Sequence, residues 1–279
     1  MEKNMRFGLD VPTTEAYADA RVLAQLALEA ESAGWDGFFI WDVLSENNPV
    51  IDPWIALTAI ALQTSRIKIG LLVSPLARHR PYLVAQRLAN LDHLSGGRVI
   101  CTVGLGDSDE TFAAFGEERS PVVRARQLDE GLAILTGLWT EDQFSFTGEH
   151  YRLHQVSLQP KPVQLPRIPL WVAGGWPHRA PFRRAAQWDG VSLKSINVER
   201  KQWLSPEDFR ACLAYVHAHR SQHTPFEVIM SGETPSDRQQ GIDIVTPFQE
   251  AGATWWVEEG LGWPLEEFRD RIHHGPPCK

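Results

Sequence analysis

Three short stretches put chemically capable residues just beyond apolar runs. In GFFIWD, Gly37–Asp42, an apolar run stops on a carboxylate, which makes Asp42 a candidate general base, hydrogen-bond acceptor or metal ligand. In GLGD, Gly104–Asp107, two glycines clear the backbone for a planar group. Asp107 there either accepts a hydrogen bond from that group or caps the next helix. In GGWP, Gly174–Pro177, glycines precede a predicted helix start, whose free N–H groups suit a phosphate. Arg179, Arg183 and Arg184 could add charge, although an ordinary turn with a solvated basic face fits the same spacing. Asp10-Val11-Pro12, Ser74-Pro75 and Lys194-Ser195 follow other apolar runs in the same way.

Other chemistries lack their patterns. No His, Asp, Glu or Cys set has metal-ligand spacing, and His217 and His219 fall on different faces of a helix. No GxSxG marks a nucleophilic serine. His79 is the one histidine near these strand ends, and its loop position reads as solvent-exposed.

Positioning such residues takes a repeating frame. Apolar runs at Met5–Leu9, Gly37–Trp41, Ile67–Val73, Arg98–Val103, Ile168–Ala173, Asp189–Leu193, Phe226–Met230 and Thr254–Val257 alternate with amphipathic stretches. Asp52-Pro53 and SPED at Ser205–Asp208 are helix-start signals, and Gly34 is a stop. Runs that are apolar throughout, rather than alternating, indicate a parallel sheet covered on its outer side. Eight such strand–helix units predict an α/β fold, a (β/α)8 TIM barrel forming one domain over residues 1–279. A hairpin about Thr147-Gly148 and a proline-rich segment form an insertion, about 140–167, between units four and five. A doubly wound sheet is the alternative, but GLDVPTTEAY stands where GxGxxG would follow its first strand. In the barrel, the active site lies at the C-terminal strand ends, where the stretches above fall.

Composition narrows the partners. The chain has 279 residues, 43% apolar and 22% charged, with a net charge of −8 and no Lys/Arg-rich run. Nucleic acid and anionic membranes are therefore not expected partners. No apolar run approaches the roughly 18 residues of a membrane span. MEKNMRFGLD has no signal-peptide pattern, and Cys101, Cys212 and Cys278 share no metal-like spacing, so a cytoplasmic protein with reduced thiols is expected. Of eleven tryptophans, Trp41, Trp54 and Trp176 are candidate walls for a flat ligand.

An ordered set of motifs resembles the bacterial luciferase-like flavin-dependent oxidoreductases. The set runs from DPWIALTAIALQTSRIKIGLLVSPLARHRPYLVAQRLANLDHLSGGRVICTVGLG through FGEE, LDEGLAILTGLW, FTGEHYRL and LQPKPVQLPRIPLWVAGG to RRAAQWDG. It spans residues 5 to about 196, with a looser match beyond. The resemblance implies FMN or the deazaflavin coenzyme F420, bound at the strand ends. It also implies a non-proline cis peptide and bulge beneath the ring at Leu71–Leu72, or shifted by one. Gly104, Gly106 and Asp107 would border the ring, and Gly174, Gly175 and Trp176 would hold the phosphate.

Two departures stand out. Relatives that use the deazaflavin often follow the second-strand Asp with His, where this chain has Val43, so a mechanism through that histidine is lost. Luciferases place an arginine where Leu105 stands, which argues against light emission. The expected function is oxidation or reduction of a small organic substrate, by oxygen insertion with FMN fed by a separate reductase, or by hydride transfer with F420. Asp42 would be the catalytic residue, and a homo-oligomer is expected. A cofactor-binding barrel without catalysis, and a lyase or isomerase barrel for a phosphorylated substrate, are the alternatives.

Overall fold

The computed structural model describes residues 5–44, 47–106 and 109–277. Eight parallel strands, β1 Arg6–Val11, β2 Gly37–Ile40, β3 Lys68–Pro75, β4 Val99–Gly104, β5 Leu170–Gly174, β6 Gly190–Leu193, β7 Glu227–Gly232 and β8 Trp255–Glu259, form a closed barrel. β1 pairs with β2 on one side and β8 on the other, which excludes the open doubly wound sheet. Around it lie α1 Ala20–Ala33, α2 Pro53–Gln63, α3 Pro81–Ser95, α4 Asp109–Ala114, α5 Pro121–Thr140, α6 Arg179–Ala185, α7 Pro206–His219, α8 Arg238–Glu250 and α9 Leu265–His273.

The helix boundaries follow local chemistry. Asp52 accepts hydrogen bonds from the Trp54 and Ile55 amides at 2.9 and 3.0 Å, with Pro53 in the first turn. Ser205 caps α7 through the Asp208 amide at 3.1 Å. Gly34, at φ +93°, ends α1 in the left-handed region that disfavours other residues.

Alternation along each strand splits the core in two. Phe39, Ile100, Trp171, Ile229, Trp255 and Val257 fill the barrel, while the other parity packs under the helices. Phe39, Trp171 and Trp255 form an aromatic triangle with ring centroids 5.6 to 5.9 Å apart. Glycines create its space: a Cβ on Gly37 would lie 2.7 Å from Phe39 and 2.9 Å from Trp255, and one on Gly190 would lie 2.6 Å from Trp171. Cys101 and Cys212 are buried free thiols, and Cys278 lies outside the described residues. Among the described residues no helix is long and apolar enough to cross a membrane.

The insertion is tied down by two carboxylates. The hairpin strands are Phe144–Thr147 and Arg152–Val156. Glu130 on α5 accepts from the Glu149, His150 and Tyr151 amides at 2.7 to 3.1 Å. Asp92 on α3 accepts from the Val163 and Gln164 amides at 2.8 and 3.0 Å, which fixes the proline-rich segment.

Several strands run further than their apolar residues predict. β1 continues through Asp10 to Val11 and β8 through Glu258 to Glu259, because the parallel ladder pairs backbone whatever the side chain. Ile196–Asn197 and Gln202–Trp203 add a two-stranded ribbon after β6, with too short an apolar pattern to be predicted.

Candidate active site

A cavity of about 840 Å³ opens at the C-terminal ends of the strands, closed on one side by α5 and the start of α6. Its wall from β3 to β5 is apolar: Leu72, Val73, Gly104, Leu105 and Ala173. Its wall from β6 round to β1 is polar, with Ser192, Lys194, Ser231, Glu259 and Asp10.

The apolar wall owes its shape to β3. The Leu72–Val73 peptide is cis, and the pairing of β3 with β4 shifts register between Leu71 and Ser74. The cis bond therefore lies one residue beyond Leu71–Leu72. Leu72 lines the cavity, whereas Leu71 belongs to the layer under the helices and does not.

Gly104, Gly106, Gly174 and Gly175 line the cavity as expected from the sequence, but the reason for glycine is internal. A Cβ on Gly174 would lie 2.7 Å from Pro181, and one on Gly175 2.4 Å from Val198. Gly106 combines φ +86° with a Cβ position 2.6 Å from Pro75. Asp107 lies outside the described residues.

The tryptophans expected as walls stand elsewhere. Trp176 packs on Phe182 and Tyr215, with centroids 5.7 and 6.4 Å away, and does not line the cavity. Trp54 borders a separate groove between α2 and α3, with the Arg87 guanidinium 5.4 Å from its ring. Trp41 serves the mouth indirectly: its Nε1 donates to Asp10 Oδ1 at 2.9 Å.

Asp42 is buried and is not among the cavity-lining residues. Ser74 Oγ donates to its Oδ2 at 3.0 Å, His79 Nε2 lies 2.8 Å from the same oxygen, and Arg78 Nη2 pairs with Oδ1 and donates to its backbone carbonyl at 3.0 Å. His79, with 17% of its side chain exposed, is thus a partner of Asp42 and not the solvent-exposed loop histidine its position suggested. Burial alone would raise the Asp42 pKa, but the hydrogen bond and charge of His79, the Arg78 charge and Ser74 together lower it.

Asp10, Asp129 and Glu259 are the carboxylates that line the cavity, and Asp10 and Glu259 are register partners across β1 and β8. Burial pushes the Asp10 pKa well up, the Glu259 charge adds to this, and the Trp41 hydrogen bond opposes it. Burial likewise raises Glu259; a Ser195 hydrogen bond and the Lys194 charge oppose the rise and the Glu233 charge adds to it. Asp10 stood at a strand end in the sequence, but nothing local gave it a role. Glu259 is recoverable only from the inward parity of Trp255, Val257 and Glu259.

Basic side chains occupy the helix side of the cavity. Of the three arginines after Gly175, only Arg184 lines it, and Arg184 is a bidentate partner of Asp129, with Nη2 to Oδ2 at 2.9 Å. Arg126 and His178 also line it. Among the described residues, no group of three His, Cys, Asp or Glu could hold a metal ion.

The fold agrees with the comparisons with known proteins. The family model for luciferase-like monooxygenases matches residues 5–207, and the chain belongs to that family. An F420-dependent glucose-6-phosphate dehydrogenase of Kineococcus radiotolerans is 33% identical over 175 residues, covering 59% of this chain and 50% of that relative. The chain thus spans about half the length of the curated relatives it matches. The monooxygenase RslO1 from Streptomyces bottropensis superposes with a TM-score of 0.77 at 21% identity, covering 96% of each chain. An F420-dependent secondary alcohol dehydrogenase in complex with an F420-acetone adduct gives 0.76 at 17% identity, covering 97% of this chain and 98% of that one. At these identities the structural likeness establishes the shared barrel.

The lining fits a flavin-type group. A cavity of this volume lies in the range of small-ligand sites, which are mostly apolar with a few placed polar groups. It offers an apolar wall for a ring and, across the mouth, Arg126 and His178 for an anionic tail.

Proposed function

We propose that the protein is an oxidoreductase that holds FMN or F420 in the barrel mouth and acts on a small organic substrate. The observation that carries the proposal is the single cavity in which the β3 bulge, the Gly104–Gly106 turn and the Gly174-Gly175 turn converge, in a chain of this family. Leu72, Val73, Leu105 and Ala173 would contact the ring. Gly174 and Gly175 with Arg126 and His178 would face the phosphate end, and Asp107 would border the ring. When bound, the group supplies the redox chemistry. The chain's part is to orient it, to exclude water with the apolar wall, and to present hydrogen-bonding groups from the β6–β1 side. Asp42, enclosed by Arg78, His79 and Ser74, would fix the loop after β3 and not touch the substrate.

A cytoplasmic homo-oligomer belongs to the same proposal, and with FMN a separate reductase would supply reduced flavin. The test is to titrate purified protein with FMN and with F420, following fluorescence. At least one should bind with a Kd below roughly 100 μM; failure of both would refute the proposal. A barrel that binds the cofactor without catalysis is the second reading, favoured by the enclosure of Asp42 and by Val43. It would be preferred if binding were found with no turnover across reductants and a broad substrate panel.

A further inference from the structure

We infer that Asp10 and Glu259 act together as the proton-handling group of this site, holding one shared proton that they exchange with the hydroxyl or carbonyl oxygen of an alcohol or ketone substrate. The inference rests on the oxidoreductase proposal above. Its geometry is that of neighbouring strands in register, which run about 4.8 Å apart, with both side chains at inward positions lining one cavity. Two negative charges so placed, half-buried in one cavity, disfavour each other, and one proton relieves both.

The surrounding groups restrict where that proton sits. Trp41 Nε1 can only donate, so Asp10 Oδ1 is an acceptor, which favours the proton on Asp10 Oδ2 or on Glu259. The other groups facing the pair are the Ser195 hydroxyl, the Lys194 ammonium and the Glu233 carboxylate, all acting on Glu259. One cation among three carboxyl groups leaves the cluster short of positive charge, which favours keeping the proton. Arg184 does not compensate, because Asp129 holds it.

When bound, a flavin-type group would supply the two-electron acceptor for the hydrogen and electron pair of the substrate C–H bond. The ionised member of the pair would take the proton released as the O–H bond breaks. The alcohol becomes a carbonyl compound and the pair becomes doubly protonated, then returns one proton to solvent. Reduction of a ketone reverses each transfer.

Infrared difference spectra of the wild type, D10N and E259Q test the pair without turnover. The wild type should show a protonated-carboxyl band at pH 7 that shifts in D2O and is lost in D10N or in E259Q. Absence of the band in the wild type, or its persistence in both variants, would overturn the pair. Circular dichroism checks folding, and the two variants act as controls for each other. Using whichever cofactor binds, ring reduction by a panel of secondary alcohols should be at least 100-fold slower in D10N, as expected for loss of acid–base catalysis, with cofactor affinity within threefold. A rate within threefold of the wild type, or no reduction of the wild-type ring by any alcohol, would overturn the role. Failure of FMN and F420 to bind the wild type would instead refute the oxidoreductase proposal, and the infrared bands, which need no cofactor, would still decide the pair.

Discussion

Asp42 and Asp10 stand at the C-terminal ends of neighbouring strands, and the protein treats them in opposite ways. Asp42 is enclosed by Arg78, His79 and Ser74, lies off the cavity and has a lowered pKa. Asp10 faces the cavity, has a neutral indole donor and a second carboxyl for company, and has a raised pKa. Position at a barrel rim therefore does not decide a carboxylate's role; the neighbours brought by other strands do. A carboxylate locked among cations is a structural anchor, whereas one short of cations, in a cavity, is poised to hold a proton.

The largest effect that could break this contrast is on stability. Asp42→Ala would leave the Arg78 guanidinium, only 7% exposed, without its carboxylate. The variant should lose about 3–5 kcal/mol, read from urea unfolding. A stable D42A with abolished turnover would return Asp42 to the catalytic role its sequence position suggests. Glu31 extends the Asp42 side of the comparison. Burial alone would raise its pKa, but the Ile67, Arg66 and Ser65 amides and the Ser65 hydroxyl outweigh that and lower it to about 2. Glu31→Gln should cost about 2 kcal/mol, measured in the same way.

Opposite shifts predict opposite pH dependence. A lowered pKa means that the folded state binds the proton less readily, so the Asp42 and Glu31 contributions are present above the ordinary carboxylate range and fade as pH falls. For Glu31 that window runs from 4.5 down to about 2. Asp10 and Glu259 have raised values, so their contribution is full below the ordinary range and is lost as pH rises through the raised ones. Asp10→Asn should accordingly be neutral or stabilising at pH 7, by up to about 1 kcal/mol, with a flatter stability profile on the alkaline side. A loss larger than that would place Asp10 with the anchors. Val43→His is the smallest change expected. Val43 does not line the cavity, so cofactor affinity should stay within about twofold of the wild type, below the 1.4 kcal/mol of a tenfold change.

Much of the frame was legible because it is local. The uninterrupted apolar runs carried the parallel strands, Asp52-Pro53 and Ser205 carried helix starts, and Thr147-Gly148 carried the hairpin turn. Gly104, Gly106, Gly174 and Gly175 were legible as mouth residues, although their purpose was not: Val73, Pro75, Pro181 and Val198, which take up the space, come from other parts of the chain. The acid pair was not legible, since residues 10 and 259 meet only when the barrel closes. Nor were the partners of Asp42, which arrive from a turn after β3 more than thirty residues later. Chemistry created by closure has no short-range pattern.

The most direct measurement is a pH titration of the side-chain carboxyl carbons in ¹³C-labelled protein, assigned with D10N, E259Q and D42N. The account predicts coupled titration of Asp10 and Glu259 above the ordinary carboxylate range and of Asp42 below it. An ordinary value for Asp10 together with a raised one for Asp42 would contradict it.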